Sequence, residues 1–308
     1  MLDPDTFLTY LYVMADEFCK GQLPPERHPG PAAALERSEV VTLATFGQWA
    51  CFGSERGFYR YASRHLRPAF PTLPDRSQLN RLVRAHRDAV TAFGHHLADR
   101  LGARAAPYEA LDCSGVPTRN AKRRGAGWLA GLANIGRSGR LGWFEGVQRL
   151  TTVSPAGVLT GFAIAPASTK EQRLAEDFLA ARRWPAPRCP GVGAPAAGPY
   201  VADNGFVGAT RHRRWRECYG AEVLCPPQRS SPRAWPTPLW RWHAGLRQIV
   251  ETVYDKLPHA FRLRQERPHT LDGLQARLAA KAALHNFCIW LNGQLGRPGL
   301  AFADLLDW

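Results

Sequence analysis

The sequence predicts an α/β protein with an all-helical N-terminal domain. In residues 1–103, apolar side chains recur mostly at helical spacing. From Pro107 onward, short apolar runs bounded by Gly and Pro mix with longer amphipathic stretches, which is typical of a sheet flanked by helices. The chain has 308 residues, of which 45% are hydrophobic, and is therefore long enough for two domains with buried cores.

The helical N-terminal domain is predicted to span residues 1–103. Asp3 or Asp5 is placed to cap a first helix, Ser38 opens a second apolar stretch, and Ser77 is expected to cap a third helix. A helix-turn-helix DNA-binding role is one interpretation of this domain, and core packing is the alternative for its apolar residues. The helical period alone does not separate the two.

Residues 107–296 are predicted to form the second domain, followed by a tail at 297–308. A β-hairpin is expected at 143–166. Two segments rich in Gly, at 118–142 and 184–198, are expected to be exposed loops. The strands are predicted at 107–112, 143–153, 158–166, 199–203 and 221–225, and the helices at 170–183, 207–219, 238–257 and 270–296.

The charge of the chain points to a polyanionic partner. Lys and Arg number 40 against 26 Asp and Glu, a net charge of +14, and nucleic acid is the simplest partner for such an excess. The seven cysteines include no C-x-x-C pair, which argues against a zinc site and a disulfide framework. Because no signal peptide and no apolar run of about 18 residues is found, we expect a cytoplasmic, nucleoid-associated protein without membrane contact.

The stretch 107–117, Pro-Tyr-Glu-Ala-Leu-Asp-Cys-Ser-Gly-Val-Pro, places a carboxylate inside a predicted strand. Gly115 and Pro117 are expected to stop that strand. Small and apolar neighbours leave Asp112 poorly solvated, so it needs a partner, and a divalent metal ion suits a carboxylate well. An Asp that caps a turn at the strand end is the alternative.

Two later acidic residues strengthen the metal hypothesis. Asp203 ends a short apolar strand, and in open α/β sheets binding sites form at the carboxyl ends of strands. Capping of the next helix is the alternative for Asp203. Glu251 lies on a predicted helix one turn after Arg247. That pair is either a surface ion pair or a carboxylate that binds metal beside an Arg that meets a phosphate.

The order of these short motifs resembles the transposases of bacterial insertion sequences, whose catalytic domain is RNase H-like and carries an Asp-Asp-Glu triad. The resemblance covers about 107–290. The matching motifs are 111–117 (Leu-Asp-Cys-Ser-Gly-Val-Pro), 142–148 (Gly-Trp-Phe-Glu-Gly-Val-Gln), 158–162, 166–168, 202–206 (Ala-Asp-Asn-Gly-Phe), 247–253 (Arg-Gln-Ile-Val-Glu-Thr-Val) and 279–286.

The resemblance implies that Asp112, Asp203 and Glu251 are the catalytic triad. They would hold two Mg²⁺ ions, for which Mn²⁺ can substitute, and no covalent protein nucleophile would be needed. The chemistry agrees, because paired divalent ions activate an attacking water or 3′-hydroxyl and stabilise the leaving oxygen. Hard cations of this kind prefer oxygen ligands.

The resemblance also implies double-stranded DNA as the partner, both the terminal inverted repeats of a transposon and the target DNA. Members of the family often act as dimers on paired ends. The helical signature of the family has a Lys seven residues after its Glu; here that position is Pro258, with Lys256 close by. The candidate DNA-binding residues are Lys122, Arg123, Arg124, Arg211, Arg213, Arg214, Arg247 and Lys256. Solvated surface is the alternative for the basic clusters among them.

The expected function is therefore that of a transposase, with metal-dependent DNA cleavage at element ends followed by strand transfer into target DNA. Two alternatives remain at this point: a metal-dependent RNase H-like nuclease without strand transfer, and a catalytically inactive DNA-binding protein descended from a transposase.

Overall fold

A computed structural model gives the fold and describes residues 1–26, 33–119, 129, 131–139, 141–185, 190–228, 231–232 and 234–308. The chain divides into two compact units. The helical unit comprises Met1–Leu97, His259–Arg262 and Asp272–Trp308, and the sheet unit comprises Ala98–Pro258 and Leu263–Leu271.

The helical unit is built on α1 to α5 and on the final helix of the chain. Asp3 caps α1, as predicted, by accepting a hydrogen bond from the Thr6 N–H. The expected Ser77 cap is wrong: Asp75 caps α4, and the predicted third helix is two helices. The bounds are α1 Pro4–Gln22, α2 Arg37–Phe46, α3 Glu55–His65, α4 Arg76–Ala85 and α5 Arg87–Arg100.

The last helix of the chain, α9 (Leu271–Gln294), is buried on nearly all sides within the helical unit. Phe287 lies edge-on against Phe7, with ring centroids 5.1 Å apart. The Lys281 ammonium is buried and donates to Gln48 Oε1 at 2.6 Å. The apolar surface all around α9 explains this position, because such a helix needs partners on every side.

The two compact units and the predicted domains differ in where α9 goes. The sequence placed 270–296 with the second domain, whereas Asp272–Trp308 packs with the N-terminal helices. The predicted boundaries 1–103, 107–296 and 297–308 were drawn along the chain, and periodicity cannot show that a late helix returns to an early core. They remain a proposal for the functional domains.

The sheet unit contains a six-stranded mixed sheet. β3 pairs antiparallel with β1 on one side and with β2 and β4 on the other. β5 lies parallel to β1, and β6 lies parallel to β5. The bounds are β1 Glu109–Arg119, β2 Asn134–Ser138, β3 Gly142–Val153, β4 Leu159–Pro166, β5 Tyr200–Val201 and β6 Val223–Leu224. Four antiparallel strands, β1 to β4, and two strands that continue parallel to β1 form a mixed sheet, so the predicted fold class is confirmed.

Two strand predictions are wrong. β1 does not stop at Gly115 and Pro117 but runs to Arg119, with a register shift after Pro117. A Cβ at Gly115 would lie 2.5 Å from the Phe144 ring, so this glycine lets an aromatic side chain pack on the strand. The segment 118–142 was expected to be a loop, but β2 lies within it. Its Gly-containing, mostly exposed sequence lacks the apolar alternation by which strands are recognised.

Helices cover both faces of the sheet. Alternate side chains of β1 and β3 face opposite sides, and Leu111 and Leu150 pack against α6 and α7 through residues such as Phe178 and Trp215. On the other face, the Tyr254 hydroxyl of α8 donates to the Asp112 carbonyl. The bounds are α6 Glu171–Arg183, α7 Ala209–Tyr219 and α8 Thr237–Phe261. Within the described ranges, no helix is long and apolar enough to cross a membrane.

Candidate active site

Asp112 lies in β1 just beyond the point where β5 stops pairing with that strand. The last paired residue on this side is Ala110, which lies opposite Val201. The main-chain carbonyl of Asp112 therefore has no partner in β5 and accepts a 2.6 Å hydrogen bond from the Tyr254 hydroxyl instead. The carboxylate Oδ1 accepts a 2.9 Å hydrogen bond from the Cys113 N–H. β1 and α8 thus fix Asp112 together.

The Asp112 carboxyl group is incompletely compensated. Burial raises its pKa from 3.8 to about 7, the Arg247 guanidinium lowers it, and the charge of Asp203 raises it further. Only 18% of the side chain is exposed. A carboxyl group with such a raised pKa loses solvation without gaining an equivalent partner, which is the condition that a bound cation would relieve.

Asp203 follows β5, the strand parallel to β1. Its Oδ1 accepts a 2.8 Å hydrogen bond from the Gly205 N–H and so caps the short turn Asn204–Phe206. The residue that precedes α7 is Gly208, so Asp203 does not cap that helix. Oδ1 of Asp203 therefore caps the turn, while Oδ2 of the same carboxylate faces the site.

Arg247 of α8 joins the two aspartates. Its Nη2 lies 3.6 Å from Asp112 Oδ2 and 3.9 Å from Asp203 Oδ2. Its Nε is buried and has no hydrogen-bond partner. The surface pair with Glu251, which was the alternative for this helix, is not formed between these two described side chains; the guanidinium faces the aspartates instead.

The three predicted acids line one cavity of about 550 Å³ in the sheet unit. Asp112 and Asp203 form one side with Arg247, and Glu251 is exposed on α8 at the same cavity. Within the described ranges, no three His, Cys, Asp or Glu side chains stand close enough together to form a ready-made metal site. The guanidinium of Arg247 lies where the oxygens of Asp112 and Asp203 approach one another.

A fourth acid, Glu171 at the first turn of α6, also lines the cavity, and sequence reasoning missed it. Gln148 Nε2 donates to its Oε1 at 3.3 Å. Burial raises the pKa of Glu171, the charge of Asp203 raises it further, and Arg247 lowers it. The signal available was an acidic residue at the start of a predicted helix.

Arg149 of β3 was also missed. It is 5% exposed and lines the same cavity. In the sequence Arg149 directly follows the motif at 142–148 that resembles the transposase family. The resemblance stops at Gln148 and therefore did not single out Arg149. The available signal was a charged Arg inside a predicted strand, directly before the uncharged residues at 150–153.

The predicted DNA-binding residues are spread over different parts of the chain. Lys122, Arg123 and Arg124 lie outside the described residues. Arg211 donates to the Val207 carbonyl at 3.0 Å, and Arg214 pairs with Glu176 at 2.8 Å. Arg213 is exposed and Lys256 is half-buried. Of the described members of the set, Arg247 alone lines the cavity. Their role in DNA binding stays a prediction.

No family model matches the chain, and no curated protein matches it significantly. Among solved structures, a Mos1 mariner paired-end complex with Mn is 12% identical, with a TM-score of 0.30 over 96% of this chain and 87% of that chain. A Mos1 transposase paired-end complex with the left transposon end is 12% identical, with a TM-score of 0.23 over 92% of this chain and 96% of that chain. At TM-scores this low, the likeness carries no argument about function.

Proposed function

We propose that this protein is a transposase that cleaves DNA strands with a divalent metal and joins them to target DNA, with Asp112, Asp203 and Glu251 as its catalytic acids. One observation carries the proposal. The carboxylates of Asp112 and Asp203, from two neighbouring parallel strands, face the same guanidinium, in a cavity that Glu251 also lines.

The oxygens of the two aspartates fit a hard divalent cation. On each carboxylate, Oδ1 accepts a main-chain N–H, whereas Oδ2 faces only the Arg247 guanidinium at a distance too long for a hydrogen bond. Both Oδ2 atoms thus have unused acceptor capacity and point to a shared positive charge. Mg²⁺ or Mn²⁺ would be held by Asp112, Asp203 and Glu251, and oxygen donors of this kind are the ligands those ions prefer.

A bound ion of this type supplies Lewis acidity at the phosphodiester and lowers the pKa of an attacking water or hydroxyl group. The chain itself does the positioning. Tyr254, one helical turn after Glu251, donates to the Asp112 carbonyl and so holds α8 against the strand that carries the first acid. The charge of Arg247 lowers the pKa of Asp112 and so opposes the effect of burial on that carboxyl group.

The proposed substrate is double-stranded DNA, both the terminal inverted repeats of an element and the target. The net charge of +14 supports this choice, since binding to a duplex is driven largely by release of counterions from its phosphates. The proposal includes action as a dimer on paired ends.

Metal-dependent nicking of a plasmid that carries the flanking inverted repeats tests the proposal. The wild-type protein should nick it in Mg²⁺ or Mn²⁺, and Asp112→Asn, Asp203→Asn or Glu251→Gln should each reduce the rate by at least about a hundredfold, because even partners of metal ligands cost 10–100-fold. Asp255→Asn, one turn from Glu251 on the same helix, is the matched control and should cleave normally.

The outcomes separate the three functions. Nicking followed by joining to a second DNA supports a transposase, whereas nicking without joining indicates a nuclease. Binding of DNA without any metal-dependent nicking indicates an inactive descendant. If Glu251→Gln cleaves at a near-normal rate while both aspartate variants fail, Glu251 leaves the triad.

A further inference from the structure

Arg149 is a buried cation without a carboxylate partner among the described residues. It lies in β3 directly opposite Ser114 of β1, on the sheet face that α8 covers. Its side chain is almost fully buried, and burial lowers the pKa of the guanidinium below its ordinary value. A charge in such surroundings costs free energy unless other groups compensate for it.

The compensation within the chain is incomplete. Arg149 Nη2 donates to Ser114 Oγ at 3.3 Å, and the guanidinium carbon lies 5.0 Å from the centroid of the Tyr254 ring. The Nε atom has no hydrogen-bond partner. The Tyr254 hydroxyl and the charge of Asp112 also favour the charged guanidinium, but burial outweighs them. A guanidinium carries five N–H donors, so these neighbours leave part of its hydrogen-bonding capacity unused.

Arg182 provides a comparison, because it is a buried arginine in the same unit whose partners all come from the chain itself. That side chain, on α6 at the opposite face of the sheet, is 2% exposed and pairs with Glu109 at 2.5 Å. Further hydrogen bonds link it to Thr152, Tyr200 and the Val192 carbonyl. Because a fully partnered arrangement exists in the same unit, the missing partner of Arg149 indicates a ligand from outside the chain.

The cavity beside Arg149 is lined by both acidic and basic side chains. Asp112, Asp203 and Glu171 are among its acidic residues. Arg149 lines the same cavity together with the exposed Arg137 and Arg264. A ligand that spans this cavity must be negatively charged, so that it contacts the arginines directly and the acids through a bound cation.

We propose that Arg149 is an anion-binding residue in the cavity wall and that its ligand is a phosphate group of the DNA strand. This inference rests on the proposed function and adds to it a phosphate contact that the resemblance does not supply. The planar guanidinium can donate to two phosphate oxygens at once. A phosphate would thus supply the negatively charged partner that Arg149 does not have among the described carboxylates.

The test compares Arg149→Met with wild type for affinity and for stability. Methionine keeps an unbranched apolar stem over Tyr254 and removes the charge. Binding of a fluorescently labelled DNA duplex is measured in chelator over a salt series. We expect affinity to fall about tenfold and the slope of log affinity against log salt to decrease by about 0.9, the value for one phosphate. The midpoint of thermal unfolding should stay the same or rise, because an uncompensated buried charge is removed.

Arg100→Met is the matched control, since Arg100 is exposed and lies outside the cavity in the same unit. It should bind DNA like wild type. Arg149→Lys keeps a charge but not the fork and should bind between wild type and Arg149→Met. Unchanged affinity in Arg149→Met would overturn the inference. A fall of its unfolding midpoint by more than about 5 °C would do the same, since it would assign Arg149 a structural role.

These measurements use chelator and therefore do not depend on cleavage. A wild-type protein that binds DNA through Arg149 but never nicks it contradicts the proposed transposase and leaves the phosphate contact standing. A protein that nicks normally with Arg149→Met, at unchanged affinity, contradicts the phosphate contact alone.

Discussion

Glu109 and Asp112 belong to the same strand, but neighbouring groups compensate the charge of Glu109 far more fully than that of Asp112. Glu109 is fully buried and accepts hydrogen bonds from the Thr160 hydroxyl, the Ala196 N–H and the Arg182 guanidinium. Asp112 accepts one main-chain N–H and faces Arg247 only at 3.6 Å. Because alternate residues of a strand face opposite sides, the two carboxylates belong to different faces of one sheet.

The difference separates charged groups that pair with each other inside the chain from charged groups that keep the capacity to bind a ligand. On the α6 face, Glu109 and Arg182 satisfy each other within the chain, so little affinity is left for a ligand. On the α8 face, Asp112 and Arg149 each retain unused hydrogen-bonding capacity. Proteins tolerate such incompletely satisfied groups where function requires them, at a cost in stability. The comparison predicts opposite responses when the two carboxylates are neutralised.

Neutralising Glu109 should give the largest change in stability. Glu109→Gln leaves Arg182 as a buried charge without its carboxylate, which costs about 3–5 kcal/mol of unfolding free energy. Urea denaturation followed by fluorescence measures this change. Glu109→Gln combined with Arg182→Met should recover most of the loss, because no unpaired charge remains. Wild-type stability in the single variant would show that the α6 face is not the structural one.

Neutralising Asp112 should instead stabilise the metal-free protein. The pKa of its carboxyl group is about 7 in the folded chain, against an ordinary value of 3.8. The folded state therefore binds this proton more tightly than the unfolded state, and stability falls as the pH rises from 3.8 through about 7. The full cost of the charged carboxylate is present above that range.

Asp112→Asn should thus raise the free energy of unfolding by about 1–3 kcal/mol at about pH 8. The gain should shrink as the pH falls through 7 and be nearly absent close to 3.8. Urea denaturation of both proteins in chelator at several pH values measures it. A gain that is independent of pH would assign the effect to packing rather than to charge, and a loss of stability would remove the contrast with Glu109.

Sequence reasoning singled out Asp112, Asp203, Glu251 and Arg247, but not Glu171 or Arg149, which line the same cavity. An Asp in a short apolar run, followed a few residues later by Gly, is a local pattern, so Asp112 and Asp203 could be singled out. The convergence of Asp112, Asp203 and Arg247 depends on three separate elements, and only the resemblance suggested that order. The local signals of Arg149 and Glu171 did not single them out, because their importance comes from what lies across the cavity.

The fold shows the same limit. The strands β1, β3 and β4 were predictable because apolar runs mark them, whereas the β2 segment has no apolar alternation and is a strand only because β3 pairs with it. The position of α9 depends on packing with helices far earlier in the chain, to which the sequence gives no local signal.

Replacing Arg247 tests whether the α8 face uses its arginine for catalysis, unlike Arg182 on the other face. Arg247→Ala should slow cleavage about tenfold or more while DNA affinity falls by less than about threefold, since the residue is expected to contact the phosphate being cut. Arg247→Lys should restore part of the rate by returning the charge without the fork. Nicking rates beside binding curves measure both quantities. Normal cleavage by Arg247→Ala would show that the DNA lies elsewhere.

The smallest expected effect concerns the basic cluster at 122–124, whose charges should contribute to affinity without distinguishing the two faces of the sheet. Replacing Lys122, Arg123 and Arg124 with Ala should weaken specific and non-specific DNA binding alike. The slope of log affinity against log salt should fall by about 0.9 for each phosphate that the variant no longer neutralises. Arg214→Ala is the control and should change the slope less, because its guanidinium already pairs with Glu176 at 2.8 Å. Binding measured across a salt series checks both. If the affinity of the wild-type protein were independent of salt, the net charge of +14 would not be what holds the DNA, and specificity would have to come from interactions inside the cavity.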